Sequence, residues 1–253
     1  MAAWGGKARR GICVAMASLA LAVLLVAGAA GAQNHPFASH PFSYAAGSIQ
    51  PNHVSQAVLD QAVRDFYDAW KTRYLRQTCG TGRYVVVTKV GPGNLTVSEG
   101  HGYGMILAAL MAGHDARARE VFDGMYAHFR QHPTATHGHL MSWNQNGGCV
   151  DAQGNDSASD GDLDIAYALL LADKQWGSCG AIDYKSEALA VLADIQSGEL
   201  DGSGQYVLLG DWVTPSDAQY YPSTRSSDFM PDHYRSFDAA AGGGPWTGLL
   251  DRT

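Results

Sequence analysis

Apolar residues recur along this chain at helical spacing, interrupted by long polar and glycine-rich segments. Leu59, Ala62, Val63, Phe66, Trp70 and Tyr74 follow the i, i+3, i+4, i+7 rule and predict a first helix with that face buried. A second is predicted from near Glu99 to Gly113. Asp115 is placed to N-cap a third, with Val121, Phe122, Met125, Tyr126 and Phe129 inward. A fourth runs from about Asp160 to Lys174, and a fifth starts near Asp183 with Leu189, Leu192 and Ile195 inward. Pro231 suits the first turn of a sixth, with Tyr234 and Phe237 as its apolar contacts. Pro245 to Thr253 reads as the start of a seventh. Strand patterns are confined to Tyr84–Thr88 and Tyr206–Leu209. The pattern is that of one all-α domain whose long loops carry chemistry, since loops beyond about 12–15 residues in a compact domain are usually functional or disordered.

The N-terminus stands apart from this pattern. Lys7, Arg9 and Arg10 precede an apolar stretch from Gly11 to Gly28, and Ala30-Gly31-Ala32 offers a small-x-small cleavage site. Residues 1–32 therefore read as a secretory signal peptide rather than an uncleaved anchor. The product is expected to be secreted or periplasmic, with no stable membrane insertion after cleavage. Residues 33–53, with Pro36, Pro41 and Pro51, form an extended leader before a domain over 54–253. The chain carries 17 basic and 24 acidic residues, a net charge of −7. Losing three cations with the signal takes it to −10, which argues against nucleic acid bound through its phosphates. An apolar fraction of 46% is enough for a core and excludes a disordered polyelectrolyte. Cys79, Cys149 and Cys179 would face an oxidising compartment, where one disulfide leaves one thiol over.

Most familiar catalytic machinery is absent. There is no nucleophile elbow, no phosphate-cradling loop and no Cys-x-x-Cys pair. His137-Gly138-His139 lacks a carboxylate at zincin spacing and reads as a surface loop. Asp156 to Asp164 fails as a calcium loop, because Ala158 and Tyr167 would occupy liganding positions. No metal or cofactor is called for. Two carboxylate clusters remain. One is Ser98-Glu99-Gly100-His101-Gly102-Tyr103-Gly104-Met105 at a loop-to-helix junction, where glycines let a substrate approach the acid closely. The other is Ser159-Asp160-Gly161-Asp162-Leu163-Asp164, in which Asp160 and Asp164 share a helix face. Taken alone, each also fits ordinary first-turn acids favouring a helix dipole. Trp143, Trp212, Tyr220, Tyr221 and Trp246 sit in or beside loops, away from helical core spacing. Flat rings stack on the C–H faces of sugars while carboxylates bond their hydroxyls, so the combination points to a polysaccharide cleft; packing beneath its loop is the alternative for each tryptophan.

At these residues a resemblance appears. Ala158-Ser159-Asp160-Gly161-Asp162, with Ile165-Ala166, Ala168-Leu169-Leu170, Ala172 and Trp176, closely resembles the signature of family 8 glycoside hydrolases. Ser98-Glu99-Gly100 with Tyr103-Gly104-Met105 looks like the same family's acid motif, and Leu140-Met141-Ser142-Trp143 like its aromatic segment. Asp228-Phe229-Met230-Pro231 with Tyr234-Arg235 and Phe237 is similar to a later substrate-side segment. The resemblance covers roughly residues 50–253. It implies an (α/α)6 toroid, incomplete in this chain, that hydrolyses internal β-1,4 bonds of cellulose or related β-glucans with inversion. It implies Glu99 as the general acid and Asp160 at the cleavage subsite; Trp143, Tyr103 and Trp212 are the expected substrate-binding residues. A β-glucan polysaccharide or oligosaccharide is the expected partner, and the protein is expected to act as a monomer. Two departures stand out. The family's base lies in a Tyr-Asp-Ala-x-Arg segment, whose nearest counterpart here is Phe237-Asp238-Ala239. Ser226-Ser227-Asp228-Phe229 stands where many cellulases have Asn-Pro-Ser-Tyr. The expectation is a truncated domain without its base, which leaves a non-catalytic glycan-binding fragment, or a xylanase, lichenase or chitosanase on the same scaffold, as the alternatives.

Overall fold

The computed structural model describes residues 44–88 and 93–252. The expected signal peptide and the first part of the expected leader fall outside these residues; positions 44–53 are exposed turn and irregular chain. The described residues form seven α-helices: α1 Gln56–Tyr74, α2 Ser98–Leu110, α3 Ala118–Phe129, α4 Ser159–Trp176, α5 Tyr184–Gly198, α6 Pro231–Ala241 and α7 Trp246–Leu250. No helix among them is long and apolar enough to cross a membrane.

The centre is the pair α2 and α4. Met105, Ala108 and Ala109 of α2 and Leu163, Ile165, Ala166, Ala168, Leu169 and Ala172 of α4 are all buried. A helix that is apolar almost all round belongs in the interior, and α4 accordingly has neighbours on several sides: α2, α5 and α6. Small residues let α2 and α4 come together. A Cβ on Gly102 would lie 2.6 Å from Asp164 Cβ, and one on Gly161 would lie 2.7 Å from the Ser98 carbonyl carbon. Phe122 of α3 packs edge-on against Trp176 and Tyr184, at 5.4 and 5.5 Å between ring centres.

Several expectations need correction. Tyr67 is the buried residue of α1, while Phe66 is 76% exposed and Val58 and Val63 are exposed too. Val63, Phe66, Tyr67 and Trp70 line a groove together with Leu107, Leu110 and Met111. Asp115 does not cap α3. Its Oδ1 accepts from Arg117 N, the residue at the cap position, at 2.9 Å, and its Oδ2 is taken by Tyr67 and Lys71 of α1. Leu189 is exposed, because α5 turns Tyr184, Ala188, Val191, Leu192 and Ile195 inward instead. Trp246 is no loop aromatic: it is fully buried, 5.0 Å from the Phe237 ring.

The strands are short. Leu75–Arg76 (β1) pairs antiparallel with Val85–Val86 (β2), and Asn94–Val97 (β3) with Asn144–Asn146 (β4). The Tyr206–Leu209 segment shrinks to a single bridge between Val207 and Leu200. A disulfide joins Cys79 to Cys149, and among the described residues no cysteine is a free thiol, contrary to the odd count.

A row of histidine rings crosses the interior, with His101 5.3 Å from His128 and His128 4.4 Å from His132. His101 and His128 are fully buried; His101 Nε2 donates to the Met125 carbonyl at 2.9 Å. Burial pulls their pKa values down, to about 4 and about 2. The unfolded chain takes up protons at the ordinary value of about 6.5 while these folded rings refuse them, so stability is present above that pH and drains away as pH falls toward 4. For His101 alone the loss amounts to about 3 kcal/mol. Ring-proton NMR should show His101 neutral down to about pH 4, and His101→Gln should flatten the acid side of the urea-unfolding profile. A His101 that titrates near its ordinary value would refute this.

Candidate active site

β3 runs directly into α2, so Val97 pairs with Asn144 and the Ser98 amide donates to the Trp143 carbonyl at 2.9 Å. That one pairing brings the aromatic segment alongside the first turn of α2, which carries Glu99. Close packing of α2 on α4 then brings the first turn of α4, with Asp160, to the same place. Glu99, Trp143 and Asp160 line one cleft of about 200 Å³ with Val97, Ser98, Ala158 and Arg225. Two helix N-termini converge there, and their unpaired backbone N–H groups favour negative charge.

Around this cleft the chemistry is graded. Tyr103, one turn beyond Glu99, donates its hydroxyl to Glu99 Oε1 at 3.1 Å. Burial, then the charge of Glu99, pushes the Tyr103 phenol up to about 12, so it stays a donor. Asp160 Oδ1 accepts from the Gly161 amide at 2.8 Å. Asp164, the next acid on that face, is buried and takes a 2.9 Å hydrogen bond from His233 Nε2, whose ring stacks on Tyr167 at 3.9 Å. Burial raises the Asp164 carboxyl. Asp228 is fully buried behind the loop bearing Arg225; burial, and then the charge of Asp160, pushes its carboxyl up to about 6. Ser227 Oγ donates to Asp228 Oδ1 at 3.1 Å.

Trp212 does not line this cleft. It is 37% exposed and packs edge-on against Tyr220 at 5.3 Å, a separate aromatic ledge. His137 and His139 go separate ways, to Asp211 at 3.3 Å and Asp194 at 3.2 Å. Asp238 makes its side-chain hydrogen bond to Thr247 Oγ1 at 3.3 Å, where α6 meets α7, and is not among the cleft residues. Sequence reasoning missed Arg225, which sits in an irregular loop with no periodicity to mark it. It also missed Glu199, buried 37 positions beyond Asp162.

The family model described as glycosyl hydrolases family 8 matches residues 45–253. The chain belongs to this family. It is 44% identical over 240 residues to a beta-glucanase of Niallia circulans, covering 95% of this chain and 57% of that protein. An endoglucanase of Bacillus sp. strain KSM-330 is 40% identical over 214 residues, 81% of this chain and 45% of that protein. The apo structure of a beta-1,3-1,4-glucanase from Paenibacillus sp. X4 superposes with a TM-score of 0.82 at 44% identity, covering 87% of this chain and 57% of that one. The family 8 chain thus spans about half the length of these relatives, from 45% to 57%. Its helices form part of the family's α/α toroid.

Proposed function

We propose that this family 8 chain contributes the acid side of an inverting site that cuts internal β-1,4-glucosidic bonds of cellulose or related β-glucans. One observation carries the reading: Glu99, Asp160 and Trp143, drawn from three separate segments, meet in a single cleft. Glu99 protonates the leaving oxygen. Tyr103 holds one oxygen of that carboxyl, so the other is free to address the glycosidic bond. Asp160 bonds the hydroxyls of the sugar at the point of cleavage, and the Trp143 ring supplies the apolar floor. Arg225 adds a cationic donor for the same sugar chain. Names of glucanases among the relatives support the substrate class.

Inversion requires a second carboxylate about 6.5–9.5 Å from the acid, activating water on the opposite face of the ring. Asp238, the nearest string to the family's base motif, is tied to Thr247 away from the cleft. That placement favours a second reading, binding of glycan without turnover. Reducing ends released from carboxymethylcellulose and mixed-linkage β-glucan separate the two. Hydrolysis with the α-anomer formed first supports the inverting enzyme; β-anomer first overturns inversion, and binding with no release leaves the second reading. Export by cleavage after Ala32 belongs to the same proposal and is read by N-terminal sequencing of the exported product.

Trp143→Ala is expected to weaken oligosaccharide binding by about 1–2 kcal/mol, the scale of a lost aromatic stacking partner, with a smaller effect on the unfolding midpoint. Titration calorimetry beside thermal unfolding checks this. A collapse of stability with affinity unchanged would make Trp143 a packing residue.

A further inference from the structure

In the same first turn of α4 that carries Asp160, the buried Asp162 comes up against a second carboxyl, Glu199, and each keeps one oxygen without a donor. Asp162 and Glu199 are fully buried. Asp162 Oδ1 accepts from the Met141 amide at 2.8 Å, and Glu199 Oε1 from Ser157 Oγ at 2.5 Å. Asp162 Oδ2 and Glu199 Oε2 have no hydrogen-bond donor, yet the two side chains are within hydrogen-bonding reach of each other. An ionised carboxylate only accepts, so two of them face to face leave both inner oxygens unsatisfied. Two like charges in contact away from water also oppose each other's ionisation. A single proton between the inner oxygens removes both problems.

We propose that Asp162 and Glu199 share one proton, and that this shared hydrogen bond positions the two segments that present Trp143 and Asp160 to the cleft. Met141, held by Asp162, lies two residues before Trp143. Ser157, held by Glu199, lies three residues before Asp160. Glu199 also accepts the Leu208 amide on its backbone carbonyl at 2.8 Å, and Ser159 Oγ donates to the Leu208 carbonyl at 2.7 Å. The carboxyl pair therefore holds the Met141 and Ser157 segments directly, and the Leu208 segment joins them through the backbone of Glu199 and the Ser159 hydroxyl. The groups facing it are Ser157, Ser159 and Asp211. Asp211 accepts from the Ser157 amide at 2.8 Å and from Thr136 Oγ1 at 2.6 Å, with His137 Nδ1 3.3 Å away. Burial works against the Asp211 charge, but these hydrogen bonds outweigh it and hold Asp211 low, so it stays an anion. That anion further disfavours a second charge on the pair. Burial raises both members of the pair, which agrees with a proton kept through neutral pH. Asp162 and Glu199 are positioning residues on this view; neither lines the cleft.

The inference does not rest on the substrate reading, because its test needs no turnover. Carboxyl ¹³C NMR of the labelled wild-type chain, assigned through side-chain protons, reads the pair directly. One proton should remain on Asp162 and Glu199 at pH 7, and the pair should become fully ionised only well above the ordinary carboxylate range. Both carboxyls fully ionised at pH 7 would overturn the proposal, and this measurement decides even if no variant folds. Positioning is read by amide hydrogen exchange at Met141 and at Leu208, corrected for the intrinsic rate. Between pH 7 and the pH at which the same spectra show the pair fully ionised, the wild-type protection should fall at least tenfold at both. Asp162→Asn replaces the shared proton with a fixed N–H, so protection at that higher pH should be retained, whereas Asp162→Ala should lack it already at pH 7. Equal pH dependence in wild type and Asp162→Asn would show that the pair does not hold these loops.

Discussion

Glu99→Gln lowers turnover of an unactivated β-glucan by two to four orders of magnitude and leaves oligosaccharide affinity within a few-fold, in any hydrolytically active protein that contains this chain. General acid–base help is worth about 10²–10⁴-fold, and an alkoxide leaving group cannot do without it. Glutamine keeps the shape of the side chain and an oxygen to accept from Tyr103, whose hydroxyl now donates to Glu99 Oε1 at 3.1 Å. The fold and the cleft therefore survive while the transferable proton is lost. A substrate with a good leaving group, such as a dinitrophenyl glycoside, should recover much of the rate because it needs no protonation. Initial-rate kinetics on the two substrates check the pair of statements. Equal losses on both, or none on the glucan, would remove Glu99 from the role of acid.

Gly161→Ala is the second large effect, and it acts on stability and site together. The added Cβ would lie 2.3 Å from Ser98 Oγ, 2.6 Å from Ser98 Cβ and 2.7 Å from the Ser98 carbonyl carbon. Backbone at that distance cannot swing aside as a side-chain end would. The first turns of α2 and α4 must separate, and these are the turns that bring Glu99 and Asp160 into one cleft. Overpacking of this kind costs about 1–3 kcal/mol, occasionally more, and each kcal/mol lowers the midpoint by about 2–4 °C in a domain of this size. Oligosaccharide binding should weaken with it. Ser98→Ala in the Gly161→Ala background should not restore either property, since the backbone contact remains. Thermal unfolding and calorimetry on the single and double variants decide the matter; a Gly161→Ala protein as stable as wild type would show that the two helices have room to spare.

How much of this was legible beforehand depended on how local the cause was. Ser98-Glu99-Gly100 and Asp160-Gly161-Asp162 advertise themselves because each is a short string at a helix start, and helices α1 to α7 follow from periodicity, caps and Pro231 at a first turn. Burial was a harder inference. Leu189 and Phe66 have the right spacing and still face outward, because spacing marks a stripe on a helix but not which neighbours close over it. Trp246 errs the other way, reading as a loop aromatic and packing on Phe237 within the core.

The sequence by itself determined the all-α class and marked Glu99, Asp160 and the aromatic segment between them as candidates, since each rests on residue types within a few positions of one another. Only the tertiary structure decided that Glu99, Trp143 and Asp160 share a cleft while Trp212 stands on another ledge, and that Arg225 joins them. It alone brought Glu199 against Asp162. Hydrogen bonding and desolvation act over a few ångströms of space, and the 36 residues of intervening chain carry no local trace of that meeting.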